Sequence, residues 1–455
     1  MSRPMSAARA ARALAVRALL TATLTLACAA GARAAQGEPD ASYRDAQFLL
    51  RAAIRDTAGH GDDPARLDSL ALAYFRLARL NEAAAILRRS AAAQPRDHAV
   101  LATLGRIALW QGRTAEADSL LAAAGDAEGA ADDRYAAAIR HGDWKTAAAQ
   151  AEAMNDAGRR ELFEKLGDSA PYALRDGREA GRVTFERAWP VPVIAVKVNG
   201  QSVLMAIDPG APGLILDPAV MRVQHLASVS GESSILWNGA RTGVKHAWVP
   251  RLEIAGMALS DVPADVLPLR RYSLDVNPQR AQIGGVVGLA VLERFGVTID
   301  FKQQALELRR PGAVYDAKGQ RVAFERWGES ELMVYGTVNG GRRMAFQVGT
   351  GLPGGALGAP ASVFEELDLK PSRVANLVKG AGAFLQGRPW DSVPVPTLAL
   401  GAIVRDKAQG WSGVLSPGEL WRYGVRRDGL LGPEMFRGRR VTFDWARHAL
   451  VFEGD

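Results

Sequence analysis

Cysteine is almost absent from this sequence: Cys28 is the only one among 455 residues. The chain therefore forms no internal disulfide, no zinc site built on several thiolates and, beyond that position, no cysteine nucleophile. The six histidines are scattered, and no two have the spacing of metal ligands on one face. The run at 349–354 has the letters of a dinucleotide fingerprint, but Pro353 and Pro360 oppose the helix that such a motif requires. We expect neither a metal nor a cofactor.

Clustered charge is also missing. The sequence carries 56 basic and 49 acidic residues, a formal net charge of +7, yet basic residues never form a run of five. Nucleic-acid-binding proteins concentrate such charge in a patch or stripe, so we expect no nucleic-acid partner. No apolar stretch reaches the roughly 20 residues that a membrane-spanning helix needs, so we expect no spanning segment.

Residues 1–34 have the pattern of an export signal. Arginines precede a short apolar core, and Ala32–Ala34 (Ala-Arg-Ala) has the form of a cleavage site. The pattern predicts a periplasmic or secreted protein whose mature chain starts near Ala35. Cys28 leaves a lipid-anchored protein open as a second interpretation, although the position three before it is not the leucine that a lipobox prefers. An uncleaved anchor is a third.

Residues 40–170 are rich in Ala, Leu and Arg, with helical periodicity and a 34-residue repeat. The repeated positions are Leu67, Leu70, Ala71, Tyr74, Ala83 and Leu87, then Leu101, Leu104, Gly105, Ala108, Ala117 and Leu121. Small residues at these places let paired helices approach closely, and large ones fill the gaps. The segment resembles the tetratricopeptide repeat family. Such arrays usually hold a protein partner or act as spacers, and a plain helical array without a bound peptide is the alternative.

From about residue 182 the pattern changes to that of β-structure. Valine, glycine and proline increase, and apolar alternation replaces helical periodicity. Five short motifs then recur in the same order at a nearly constant offset, as when the Val-Asn-Gly of residues 198–200 returns at 338–340. The duplication predicts two homologous β lobes, residues 182–312 and 318–455.

Each lobe carries a characteristic series of turns. In lobe one, an apolar strand runs into the turn 208–210 (Asp-Pro-Gly), and an apolar-apolar-Gly step follows at 286–288. Lobe two repeats that step at 428–432 (Asp-Gly-Leu-Leu-Gly). This order resembles the aspartic peptidases of the retropepsin and pepsin type, whose turns read Asp-Thr-Gly or Asp-Ser-Gly. The resemblance implies a multidomain chain: an N-terminal all-α tetratricopeptide-like array, then all-β bilobal acid-protease-like barrels.

The resemblance also implies that each lobe supplies one carboxylate to a catalytic pair. Two such groups about 3 Å apart share one proton, because like charges at that distance cannot both ionise. Asp208 is the candidate in lobe one. Aligning residues 205–207 with 344–346 puts Gln347 at the place of the second acid, where an amide can neither act as a base nor share an acidic proton. We therefore expect an ordinary acidic pKa for Asp208.

The same resemblance assigns roles to the neighbouring turn residues. In the family, a Thr or Ser after the acid braces the two turns against each other with its hydroxyl and its backbone N–H. Here Pro209 and, by the same alignment, Val348 occupy those places, followed by the turn glycines Gly210 and Gly349. Neither Pro209 nor Val348 has a hydroxyl, so both halves of the brace are expected to be missing.

A flap over the groove is expected between the lobe-one turn and the next strand. Trp237, followed by Asn-Gly at 238–239, lies where the family has its flap hairpin. It is a flap candidate, and an ordinary surface hairpin is the alternative.

Two functions are compatible with these patterns. The first is a degenerate peptidase scaffold that binds extended peptides in the groove between the lobes. The second is an active aspartic endopeptidase acting through Asp208, which would bring two copies of lobe one together between chains. The residue facing Asp208 distinguishes them: a carboxylate supports the enzyme and an amide supports the binding module.

Overall fold

The computed structural model describes residues 43–58, 63–167, 169–237, 240–276, 282–313, 315–372 and 390–454. The predicted export signal lies outside these residues. The chain divides into two compact units. The first contains the described residues up to Leu109 together with Arg113–Ala130 and Trp421–Arg426, and the second contains Trp110–Gly112, Ala131–Leu420 and Arg427–Asp455.

The N-terminal part of the described chain is helical. Its helices are α1 (Tyr43–Thr57), α2 (Pro64–Arg76), α3 (Leu80–Ala93), α4 (His98–Trp110), α5 (Thr114–Ala123), α6 (Ala130–His141), α7 (Trp144–Ala153) and α8 (Ala157–Leu166). Helix α2 begins at Pro64, and the side chain of Asp63 caps it by accepting the N–H of Ala65. The buried Ala71 and Ala83 allow α2 and α3 to pack closely.

The spacing of these helices agrees with the period in the sequence. Helix α4 starts 34 residues after α2, and α5 starts 34 residues after α3. The tetratricopeptide assignment itself stays a prediction.

The rest of the second unit is mainly β-structure. Its strands are β1 (Ala173–Gly177), β2 (Ala180–Thr184), β3 (Val193–Val198), β4 (Gln201–Ile207), β5 (Leu214–Leu216), β6 (Ser228–Trp237), β7 (Ala240–Ile254), β8 (Met257–Val266), β9 (Gly285–Val287), β10 (Gly296–Asp300), β11 (Ala305–Arg309), β12 (Gly319–Trp327), β13 (Glu331–Val338), β14 (Met344–Gln347), β15 (Leu357–Ala359), β16 (Asp391–Leu400), β17 (Ile403–Ser412), β18 (Gly429–Leu431), β19 (Arg440–Asp444) and β20 (Ala449–Glu453). Short helices lie between them: α9 (Pro218–Val223), α10 (Arg270–Val276), α11 (Leu289–Leu292), α12 (Ala361–Glu366), α13 (Pro433–Phe436) and the 3-10 helix Pro417–Trp421.

Two closed barrels account for most of these strands. In lobe one, the pairing runs β8-β5-β9-β4-β3-β7 and returns to β8. In lobe two, it runs β14-β18-β15-β17-β16-β13 and returns to β14. Each barrel has six strands, and most of the apolar residues of these strands are buried. The structure thus confirms the coarse prediction of a helical region followed by a β-rich region with two barrels.

A further sheet, ordered β12-β20-β19-β10-β11-β2, joins the lobes. At its centre, β10 and β19 are antiparallel, with Thr298 directly opposite Thr442. These two residues are 144 positions apart, the offset at which the sequence repeats this strand. Equivalent residues therefore face each other, as they do at a two-fold axis, and the axis relates the two lobes.

Among the described residues, no helix combines the length and the apolar character needed to cross a membrane.

Candidate active site

The Asp208 turn follows directly from strand β4. The N–H of Asp208 donates to the carbonyl of Val287 (3.0 Å), so the parallel pairing of β4 with β9 extends to the turn. The N–H of Ala211 donates to the Asp208 carbonyl (3.0 Å) and closes the turn. Asp208 is half-buried, and Pro209 beside it is buried. The turn is thus held at the end of a buried strand, and the carboxylate of Asp208 faces lobe two.

Strand pairing identifies the lobe-two counterpart of Asp208. In lobe one, Ile207 donates its N–H to the carbonyl of Pro192 (2.9 Å). In lobe two, Val348 donates its N–H in the same way to Leu332 (2.7 Å), which lies 140 residues after Pro192. Val348 is therefore the counterpart of Ile207. The next residue is the counterpart of Asp208, and it is a glycine.

The sequence-based alignment is wrong here by two residues. It placed Gln347 opposite Asp208, whereas the pairing places Gly349 there and puts Gln347, the last residue of β14, at the position of Ala206. Gly349 is accordingly not the turn glycine that the alignment assigned; that role belongs to Gly351. The lobe-two turn reads Gly-Thr-Gly, so the position that corresponds to Asp208 has no carboxylate side chain.

Hairpin length explains the error. Seven residues separate Gly336 from its partner Met344 in lobe two, but six separate the matching pair Val196 and Val203 in lobe one. The alignment joined two Met-Ala pairs and so assumed a shorter lobe-two hairpin, while the real one is longer. Where an alignment should place a gap in a hairpin depends on which backbone groups pair, and the amino-acid sequence alone does not show that pairing.

One half of the brace between the turns is present, which corrects a second expectation. The brace position of lobe two is Thr350, not Val348, and its Oγ1 donates to the carbonyl of Ile207 in lobe one. Val348 is a buried residue continuing strand β14. The lobe-one half is missing as expected, because Pro209 has no hydroxyl.

Backbone N–H groups from both lobes bind the Asp208 carboxylate. Oδ1 accepts the N–H of Gly210 (2.9 Å) from its own turn and the N–H of Thr350 (2.8 Å) from the other lobe. The N–H of Gly351 also acts on this carboxylate. A Cβ atom at Gly351 would overlap Oδ2, so a glycine is required there.

The pKa of Asp208 lies above its ordinary value of 3.8, contrary to the sequence-based expectation. Burial is the main cause, because removing a carboxylate from water disfavours its charged form. The N–H groups of Thr350, Gly210 and Gly351 act in the opposite direction and offset part of this effect.

Gln347 supports the lobe-one turn instead of replacing an acid. Its Nε2 donates to the carbonyl of Gly210 (3.1 Å), and its Oε1 accepts Nη1 of Arg427 (2.7 Å). Arg427 is buried and also pairs with the buried Glu331 (3.2 Å) and Glu419 (3.4 Å). Sequence reasoning missed this cluster. An arginine directly before the Asp-Gly-Leu-Leu-Gly step was the available signal.

Strands β6 and β7 form the hairpin that was the flap candidate. Trp237 ends β6 and pairs with Ala240 across the tip, and the tip residues 238–239 lie outside the described part of the chain. Nearer its base, Ile235 and Val244 pack in one apolar cluster with Ala206 and Ala211, which flank the Asp208 turn. The hairpin and the turn therefore share a core.

No group of three or more His, Cys, Asp or Glu residues in the described part of the chain could hold a metal ion.

Residues 194–291 match the family model described as aspartyl protease. The match includes Asp208 and runs from β3 into α11. No curated protein matches the sequence. A solved structure titled "Crystal structure of edgp" aligns with 62% of this chain and 96% of that chain, at 10% identity and a TM-score of 0.39. The family match and the two closed barrels agree, and the chain contains an aspartyl-protease-like domain.

Proposed function

We propose that the two lobes form a degenerate aspartyl-protease scaffold that binds extended peptides in the groove between them without hydrolysing them. The observation that carries the proposal is the glycine opposite Asp208. Acid–base hydrolysis of this type needs two carboxylates that share a proton, so that one accepts a proton from water while the other donates one. Gly349 has no side chain, so it can neither accept a proton from water nor donate one.

The hydrogen bonds of Asp208 support the same conclusion. Oδ1 accepts two N–H groups, from Gly210 and Thr350, and the Gly351 N–H acts on the carboxylate as well. These bonds tie the lobes together, and with a glycine opposite it the carboxylate has no second carboxylate to share a proton with. In the unmodified protein Asp208 therefore serves as a structural residue of the groove.

Peptide binding remains available to such a scaffold. Extended peptides are held largely by main-chain hydrogen bonds to strand edges, with side-chain pockets for selectivity. None of these contacts needs a second acid. The alternative is an active endopeptidase using Asp208, and the family match is the observation in its favour.

The experiment is peptide binding and cleavage by the full chain. Fluorescence anisotropy with a library of extended peptides is expected to show saturable binding, and mass spectrometry to show intact peptides between pH 3 and 7. Gly351→Ala is expected to weaken binding, because its Cβ displaces the Asp208 carboxylate. Gly418→Ala, in the 3-10 helix Pro417–Trp421, is the matched control, since nothing lies within 4 Å of a Cβ there. Cleavage that Asp208→Asn abolishes would establish the alternative, and absence of binding would overturn the proposal.

We also propose that the protein is exported, on the sequence pattern at residues 1–34. N-terminal sequencing of periplasmic or secreted protein should find a start near Ala35. A lipidated Cys28 would instead place the protein at a membrane surface. A protein partner held by the helical array is a further part of this proposal, and pull-down with residues 40–170 deleted tests it.

A further inference from the structure

Helix α8 packs very closely against the β6–β7 hairpin of lobe one. It packs against β6 and β7 within the second unit. A Cβ atom at Gly158, in the first turn of α8, would lie 2.6 Å from Ser233 Oγ. A Cβ atom at Gly231, in β6, would lie 2.8 Å from the backbone of Ala157. Glycine on both sides thus permits a contact that larger residues would block.

A polar chain connects the start of α8 to the interior of the hairpin. Ser233 Oγ donates to Asp156, the residue that caps α8 by accepting the N–H of Arg159 (2.9 Å). His246 Nε2, on β7, lies 2.6 Å from the same Oγ. Asp265 Oδ1, on β8, lies 2.9 Å from Nδ1 of the same ring, without a hydrogen bond between the two atoms.

These residues have the composition of a Ser-His-Asp nucleophile, but proton counting argues against that role. A serine hydroxyl has one proton, and Ser233 gives it to Asp156. His246 Nε2 must then be the donor to Oγ, whereas a nucleophilic serine requires Nε2 as the acceptor. His246 is 1% exposed, and Gly158 of α8 covers it. The chain of residues therefore joins elements instead of performing chemistry.

Glu161 supplies a second connection one turn further along α8. Its Oε2 accepts the N–H of Ser230 (3.0 Å), the hydroxyl of Ser230 (2.9 Å) and the N–H of Gly231 (2.9 Å). The pairing of β6 with β7 is irregular between Ser228 and Glu232, so these N–H groups leave the ladder and are free to be bound by the helix.

We propose that α8 is a latch for the β6–β7 hairpin and that its release controls peptide access to the groove at Asp208. The first part stands on the contacts of Asp156 and Glu161. The second part rests on the proposed peptide binding and on the core that Ile235 and Val244 share with the residues flanking the Asp208 turn. Because the hairpin is held from outside by a helix of the N-terminal array, an event on that array can loosen it.

Hydrogen exchange of the full chain tests the latch. Glu161→Ala should speed exchange of the hairpin amides about tenfold or more, since hydrogen bonds to a charged group are lost. Exchange of β16–β17 in lobe two serves as the internal reference. Glu164→Ala is the matched control, because Glu164 lies on the same helix, is about half exposed and pairs with Arg160 at 3.6 Å. Ser233→Ala, which interrupts the other connection, should act in the same direction as Glu161→Ala.

The rate at which peptides associate tests the gating, that is, whether release of α8 controls peptide access to the groove. Stopped-flow mixing should show a higher rate for Glu161→Ala than for Glu164→Ala. Unchanged hairpin exchange in both Glu161→Ala and Ser233→Ala would overturn the latch, whether or not peptides bind. Faster exchange with an unchanged association rate would overturn the gating. If no variant binds peptides, the proposed function fails, while the exchange result still decides the latch.

Discussion

Thr350 and Asp208 together link the two turns, where a symmetric brace would use a hydroxyl from each lobe. Thr350 Oγ1 binds the carbonyl of Ile207, and the Thr350 N–H binds Asp208 Oδ1. Because Pro209 offers no hydroxyl, the carboxylate takes a place in the link between the turns.

Removing the Thr350 hydroxyl is expected to destabilise the second unit. Thr350→Val keeps the shape but leaves the carbonyl of Ile207 buried without its donor, which costs about 1–3 kcal/mol. Thr350→Ser retains the hydroxyl and should lose less. The free energy of unfolding in urea measures both. Equal stability of the valine variant and the unmodified protein would show that this hydrogen bond contributes nothing.

Asp208 should impose a pH dependence on stability. Burial raises its pKa above 3.8, so the folded chain binds this proton more tightly than the unfolded chain does. Stability is then lost as pH rises from about 4 through the raised pKa. Asp208→Asn should lack this loss, while Asp391→Asn, at an exposed position, should keep it. Unfolding free energies between pH 3.5 and 7 make the comparison, and parallel profiles for the two variants would contradict it.

At the scale of secondary-structure elements, strands β10 and β19 carry the junction of the lobes. Their central threonines belong to one hydrogen-bonded chain: Arg309 donates to Thr298 (2.6 Å), Thr298 lies 2.6 Å from Thr442, and Thr442 donates to Glu453. Thr442 uses its proton on the carboxylate, so Thr298 donates to Thr442. The hydrogen bonding of each threonine hydroxyl thus depends on the other hydroxyl.

A double-mutant cycle should detect this dependence. Thr298→Val and Thr442→Val each leave buried partners unsatisfied, at about 1–3 kcal/mol apiece. The double variant removes both hydroxyls and should cost less than the sum, with a coupling of about 0.5–3 kcal/mol. Unfolding free energies of the four proteins give the coupling. Strict additivity would mean that the two threonines act independently.

At the scale of the whole molecule, the missing catalytic pair can be rebuilt to test the strand alignment. Gly349→Asp with Pro209→Thr restores an acid opposite Asp208 and a hydroxyl in lobe one. The new Cβ meets the Cδ1 methyl of Leu430 at 2.9 Å, and that flexible end can move. We expect peptide cleavage at acidic pH at least about 10²-fold above the unmodified protein, since acid–base assistance contributes typically 10²–10⁴.

Gln347→Asp with Pro209→Thr is the control for this reconstruction. Its carboxylate would replace the amide bound to Arg427 and the Gly210 carbonyl, so it should not restore cleavage. Cleavage by this control, and none by the Gly349→Asp variant, would show that the sequence-based alignment was right.

The amino-acid sequence by itself determined the coarse architecture. Apolar alternation and a constant repeat offset predict paired β lobes, because strand period and duplicated motifs are local properties of the chain. The same local reading located Asp208 and the absence of a hydroxyl at Pro209. A helical region before the lobes was equally visible from its periodicity.

Tertiary structure decided what faces Asp208 and how the carboxylate is bound. The lobe-two hairpin is one residue longer than its lobe-one counterpart, whereas the alignment made it one residue shorter. This difference of two residues puts Gly349 instead of Gln347 opposite Asp208 and Thr350 in the brace, and only the pairing of backbone groups reveals it. The raised pKa and the seat of α8 on the hairpin are likewise products of burial and of contacts between distant segments. Such contacts depend on where the folded chain places its N–H and carbonyl groups, which the order of residues does not specify locally.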